Sequence, residues 1–172
     1  MGKVISQYDI GWPGTISRSV DDVVVSLKNA GENPIPFGRP VFLTDDGSGV
    51  VGFINNGSQT FERFVGFAVR SASKTPDAYP SGQDMNIDSG YQAGEWKPGE
   101  VVEVLVRGCI AVQAIAGFRP GGKVYIRKSD GSVVPGAGAE GTTVWLENVR
   151  CRVPQRGNGA CSEMVITSRN IQ

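Results

Sequence analysis

The sequence predicts an all-β protein: a single β-barrel or β-sandwich domain with an extended N-terminal arm and long loops. Three observations lead there. Glycine and proline are abundant, 24 and 10 in 172 residues, and they are scattered without a collagen period. Between them lie short apolar runs rich in valine, whose branched Cβ favours strands over helices. No stretch holds the i, i+3, i+4, i+7 apolar spacing for three turns, so at most one short helix is expected, around residues 19–30. Many short strands separated by turn signals indicate a barrel or a sandwich. A chain of this length buries about two-thirds of its unfolded surface, enough for a real core.

Residues 1–20 have no core-forming period, yet they carry Tyr8, Ile10, Trp12 and Ile16 among Gly11, Pro13 and Gly14. Large apolar side chains on an irregular segment need a surface to cover, on their own domain or on a neighbour. The segment reads as an extended arm, with the domain proper at residues 21–172. A first strand lying on its own barrel fits the same residues equally well. Residues 23–27 (VVVSL) are strand-like, and residues 29–34 (NAGENP) make a turn. Residues 35–43 (IPFGRPVFL) form an edge or bulged strand, because Pro36 and Pro40 cannot donate to a ladder. After the turn at residues 45–49 (DDGSG), residues 64–69 (FVGFAV) form a short strand, apolar on both faces, in which Gly66 permits close backbone approach.

Residues 71–99 are the longest irregular stretch, and a loop of that length usually serves a function. Residues 101–106 (VVEVLV) and 109–115 (CIAVQAI) are split by Arg107 and Gly108 and read as a hairpin or a sharp corner, with Val102, Val104 and Val106 on one face. Residues 123–127 and 132–134 flank a loop that ends in Asp130-Gly131, a strong hairpin signal. Residues 143–153 alternate Val144, Leu146, Val149, Cys151 and Val153 with polar residues, and a register slip near Asn148 implies a bulge. A turn at residues 156–159 precedes the closing strand around Met164-Val165-Ile166. No internal repeat stands out at a period of 20–50 residues.

Charge excludes several partners. Lys and Arg number 17, as do Asp and Glu, so the cation excess of a sequence-independent nucleic-acid binder is missing. The neutral balance does little to oppose self-association. No apolar run approaches the length of a membrane span. Residues 1–9 lack the apolar core of a classical signal peptide, so synthesis in the cytosol is expected. Cys109, Cys151 and Cys161 make an odd set without a CxxC pair and read as buried free thiols; a Cys151–Cys161 cross-strand bridge is the alternative.

The chain contains no histidine, which removes Ser-His-Asp and Cys-His catalysis and every His-ligated zinc site. Residues 136–141 (GAGAEG) match GxGxxG, but a dinucleotide site needs a helix after the turn. Here a strand comes next, so a flexible loop is expected. Asp45 and Asp46 sit beside a turn without the later glutamate of an EF-hand loop, which makes an Asx-type turn the better reading. Lys74, Lys97, Lys123 and Lys128 occupy polar or loop contexts and do not suggest a Ser–Lys dyad. No acidic pair stands in an aromatic setting suited to glycoside cleavage. Neither catalytic residues, nor a cofactor, nor a metal site is expected. What remains are surfaces: Tyr8, Trp12, Tyr79, Tyr91, Trp96 and Phe118 lie in the arm and the loops, and aromatic residues commonly anchor interfaces. Capping the ends of the barrel explains any one of them as well.

Taken in order, several segments resemble one family. They are Gly11-Trp12-Pro13-Gly14-Thr15-Ile16-Ser17-Arg18, residues 35–41 (IPFGRPV), residues 64–70 (FVGFAVR), residues 96–104 (WKPGEVVEV), residues 107–112 (RGCIAV) and the Gly-x-x-Val-Tyr-Ile strand at residues 121–126. The series resembles the structural cement proteins of tailed bacteriophages, small β-rich proteins that decorate the mature head, and the similarity covers residues 8–130. The loop at 71–95 is longer than the family pattern, and residues 143–172 match no motif of it. The resemblance implies a non-enzymatic protein on the capsid surface of the virion. It would bind the major capsid protein and itself, as a homodimer or homotrimer. It further implies that Tyr8, Ile10, Trp12, Ile16 and Arg18 of the arm, with Tyr79, Tyr91 and Trp96, form the capsid or subunit interface. A glycan- or host-binding module of a phage fibre or tail is the competing expectation, and a histidine-free hydrolase a more distant one.

Overall fold

A computed structural model describes residues 11–53, 63–71, 94–155 and 161–168. They form eleven strands and, among the described residues, no α-helix. In chain order these are β1 (Ile16–Lys28), β2 (Ile35–Pro36), β3 (Pro40–Leu43), β4 (Val50–Val51), β5 (Phe64–Ala68), β6 (Glu95–Trp96), β7 (Val101–Gln113), β8 (Lys123–Arg127), β9 (Val133–Val134), β10 (Thr143–Val153) and β11 (Cys161–Ile166). Nine of them make one sheet, ordered β4-β3-β5-β7-β11-β10-β8-β9 with β1 also paired to β7, and β2 and β6 form a separate ribbon. The sheet curls into a half-barrel, and isolated bridges at Asn29–Val50 and Ala114–Val133 tie strand ends across the curl. The fold is all-β, as the turn-dense sequence predicts.

The middle of the sheet is buried on both faces. From β7, Leu105, Ile110 and Val112 enter one apolar cluster, while Val102, Val104 and Val106 enter a second on the opposite face. Phe64 and Phe67 of β5 face the first cluster, and Val65 and Ala68 the second. That is why residues 64–69 are apolar without alternation: a strand walled in on two sides has no polar face to show. Val124, Ile126, Leu146, Met164 and Ile166 of β8, β10 and β11 complete the first cluster. Ile35, Phe37, Val50 and Trp96 complete the second, with Val23, Val25 and Leu27 of β1 packed against it. At Gly66 the strands β5 and β7 approach so closely that a Cβ there would overlap the Leu105 carbonyl oxygen.

Two expectations change. Residues 19–30 hold no helix; they lie mostly within β1, where Val23, Val25 and Leu27 turn inward while Val24, Ser26 and Lys28 stay exposed, a period of two that β-branched residues satisfy easily. Residues 101–113 make one continuous strand with no hairpin at Arg107-Gly108. Both halves of β7 pair with β1, while its other partners are β5 at Val104 and Leu105 and β11 from Gly108 to Gln113. Gly108 bends the strand with φ +125°, and β1 absorbs the bend in a bulge where the register jumps from Arg18–Cys109 to Val23–Arg107. The cysteines are buried free thiols, as the sequence reads: Cys151 lies opposite Met164 and Cys161 opposite Gln113, so the alternative Cys151–Cys161 bridge does not form. The hairpin β8–β9 and the bulge in β10 between Leu146 and Arg150 stand where the sequence places them.

Candidate assembly surface

The segment that leads into β1 is fixed to the sheet by backbone bonds at Gly14. Its N–H donates to Ala111 O (2.8 Å), its carbonyl accepts from Arg70 N–H (2.8 Å), and Ala111 N–H donates to Thr15 O (2.9 Å). Gly14 takes φ +80° and packs against Gly38 at φ +71°. A Cβ on Gly14 would come within 2.8 Å of Arg70 N, and one on Gly38 within 2.7 Å of Gly14 N, so both the backbone angle and the space require glycine at this crossing. Above it the Arg70 guanidinium lies 5.6 Å from the Trp12 ring centre and 5.8 Å from that of Phe37, a cation held between two aromatic faces.

At the start of β1, Glu163 of β11 binds side chains of that strand. Its side chain is 3% exposed, and Oε1 accepts from Ser17 Oγ (2.6 Å) and Arg18 Nε (2.9 Å). Arg152 Nε stands 3.9 Å from Oε2, and an Arg152 N–H donates to Cys109 Sγ (3.4 Å). A carboxylate is tolerated here because cations flank it and hydrogen bonds satisfy one oxygen. Burial pushes the Cys151 thiol up to about 11, helped by the Glu163 charge, and burial alone does the same for Cys161. Both stay neutral and unreactive near neutral pH.

A further aromatic group stands on the outer face of β8 and β10. Trp145, 40% exposed, lies opposite Tyr125, with Lys123 Nζ 4.6 Å and the Arg150 guanidinium 5.6 Å from its ring centre. Trp145 and Arg150 were not among the interface residues expected from the sequence. Parity along β10 was the available signal: Val144 and Leu146 point toward the core side, so the residue between them points away.

The structure gathers part of the expected set. Trp12 lies just before β1, and Ile16 and Arg18 at its start, where Ile16 packs against the larger apolar cluster and Arg18 stays half-exposed. Trp96 lies inside the fold, 5% exposed, with its indole N–H donating to Val69 O (3.0 Å) and its ring edge-on to Phe37. Phe118 is likewise buried. Tyr8, Ile10, Tyr79 and Tyr91 lie outside the described residues. Residues 136–141 lead into β10, a strand, as read from the sequence. Among the described residues no group of three or more His, Cys, Asp or Glu could hold a metal ion.

An all-β domain whose N-terminal segment is fixed at a tight glycine crossing, with aromatic and cationic side chains on a sheet face, offers the kind of surface that structural and binding modules use. Known proteins place it more closely. The model of the structural cement protein family, described by E217 gp24 and Pam3 gp6, matches residues 2–167; the chain belongs to that family. No curated protein matches. Among solved structures, a chain from the capsid of Myoviridae phage XM1 shares the fold, with a TM-score of 0.68 and 15% identity over 95% of this chain and 94% of that one.

Proposed function

We propose that this protein binds the outer surface of a phage capsid and stabilises the shell by bridging neighbouring subunits of the major capsid protein. The family match across residues 2–167 carries the reading, and the fixed arm base supplies the mechanics. The Gly14–Gly38 crossing holds the root of the arm to the domain. Residues 1–10 then extend to a neighbouring subunit, with Tyr8 and Ile10 as apolar anchors and Trp12, Ile16 and Arg18 at the root. Tyr79 and Tyr91 extend the contact from the 71–99 loop, and Trp96 supports it from inside. No catalytic group, cofactor or metal enters this role.

The protein is made in the host cytoplasm and acts on the virion as a homodimer or homotrimer. Each contact is individually modest. Linking several on one rigid domain raises the effective concentration of the next, so the assembly holds more tightly than any single contact. Closed symmetry gives every copy the same surroundings. Removing residues 1–10 leaves the Gly14 bonds and β1 intact, so the shortened chain is expected to melt cooperatively but no longer co-sediment with expanded heads. Undiminished co-sedimentation would contradict the arm's role.

A further inference from the structure

The net charge is zero, but the register distributes the charges unevenly. Lys123 of β8 lies opposite Arg150 of β10, Arg150 opposite Val165 of β11, Val165 opposite Cys109 of β7, and Cys109 opposite Arg18 of β1. Residues directly opposite across strands share a face, so one row crosses five strands on the side away from the larger core. Four steps of about 4.8 Å make it about 19 Å long. Arg152 joins it, as its bond to Cys109 Sγ shows.

The row therefore carries Lys123, Arg150, Arg152 and Arg18, of which Arg18 and Arg152 face one carboxylate, the buried Glu163. Lys123 and Arg150 have no carboxylate partner among the described residues. Instead they flank Trp145, which is exposed. An exposed indole between two uncompensated cations combines the residue types that dominate binding energy at protein interfaces.

We infer that this face is a second docking surface, separate from the arm, and that its occupant is an acidic surface of the protein shell. The inference rests on the capsid reading above and names the chemistry of a contact within it. Two features select an acidic protein surface over nucleic acid. Glu163 faces both Arg18 and Arg152 and offsets one of the four cations, which leaves three net positive charges, fewer than the several phosphate contacts on which non-specific nucleic-acid binding depends. The large apolar ring at the β8–β10 end of the row gains most from burial against another folded surface.

Three variants test it in the full-length chain, with purified heads of the cognate phage and a DNA duplex as probes. Lys123→Glu with Arg150→Glu reverses the charge, Trp145→Ala removes the ring, and Lys123→Arg with Arg150→Lys keeps the charge while changing its shape. At low salt the reversed pair is expected to lose about tenfold or more in head affinity and Trp145→Ala several-fold. The charge-keeping pair should bind as the parent does, and rising salt should weaken the parent more than the reversed pair. Head binding unchanged in the reversed pair and in Trp145→Ala, both melting as the parent does, overturns the inference while leaving the capsid reading standing. Parent protein that binds the duplex as tightly as heads, with both lost on reversal, makes the surface a nucleic-acid site and overturns it also. Parent protein that does not bind heads at all contradicts the cement reading, and this inference falls with it.

Discussion

Glu163 shows how one residue organises the start of β1. It accepts from Ser17 and Arg18, which lie 146 and 145 positions away in sequence, so no local pattern announces it. Glu163→Ala removes both bonds and leaves Arg18 without its counter-ion. A loss of about 2 kcal/mol is expected, the range of hydrogen bonds to charged groups, read as a lower denaturant midpoint with an unchanged slope. The cysteines make a second prediction. Burial raises the Cys151 and Cys161 thiols from 9.0 to about 11, so between those pH values the unfolded chain sheds protons that the folded chain keeps. The stability these thiols contribute is complete below pH 9.0 and is lost as pH rises to about 11. Mass-spectrometric alkylation should leave Cys151 and Cys161 unmodified in the folded protein near pH 8 and label them once denaturant is added. Prompt labelling of the native protein would refute the buried, protonated assignment. Trp145 was legible by parity along β10, and Trp12 from its place beside the Pro13-Gly14 turn. Trp96 was legible as an aromatic but not as a core residue, because a loop position says nothing about which way an indole turns.

At the scale of elements, β7 holds the fold together and was also the hardest to read. Its two apolar halves were visible in residues 101–115, and the shared face of Val102, Val104 and Val106 was right. Gly108 was read as a possible reversal because a glycine between two apolar runs marks a hairpin and a bend alike. Only the partners decide: β1 pairs with β7 on both sides of Gly108, from Val101 to Ile110, and a strand cannot turn back at a point that one neighbour spans. The same partners make Gly108 intolerant of substitution. A Cβ there would collide with Asp22 Oδ1, and φ is +125°. At Gly121 the φ is +75° but nothing lies within 4 Å. Gly108→Ala should therefore cost about 2 kcal/mol or more, and Gly121→Ala about 1 kcal/mol from backbone strain alone. Equal thermal shifts for the two would show that the β1–β7 bulge is looser than described. The β8–β9 hairpin was legible because Asp130-Gly131 states its own geometry, with Gly131 at φ +68°.

For the whole molecule, the turn-dense, histidine-free sequence pointed to a structural all-β domain, and the fold and the family match agree with it. The ordered motifs from Gly11 to Ile126 placed the family, while residues 143–153 matched none of its motifs and yet carry Trp145 and Arg150. What the sequence could not show is that a chain of zero net charge collects cations in one cross-strand row, since that depends on register between strands far apart in sequence. On the proposed bridging role, the curled sheet and the segment fixed at Gly14 link the surfaces that the protein touches. The most direct test is a cryo-electron microscopy reconstruction of phage heads with the protein bound, set beside heads without it. The account predicts added density on the outer shell, each copy of the domain spanning two neighbouring major capsid subunits with its arm reaching onto one of them. Density confined to a single subunit, or found only at the tail, would contradict it.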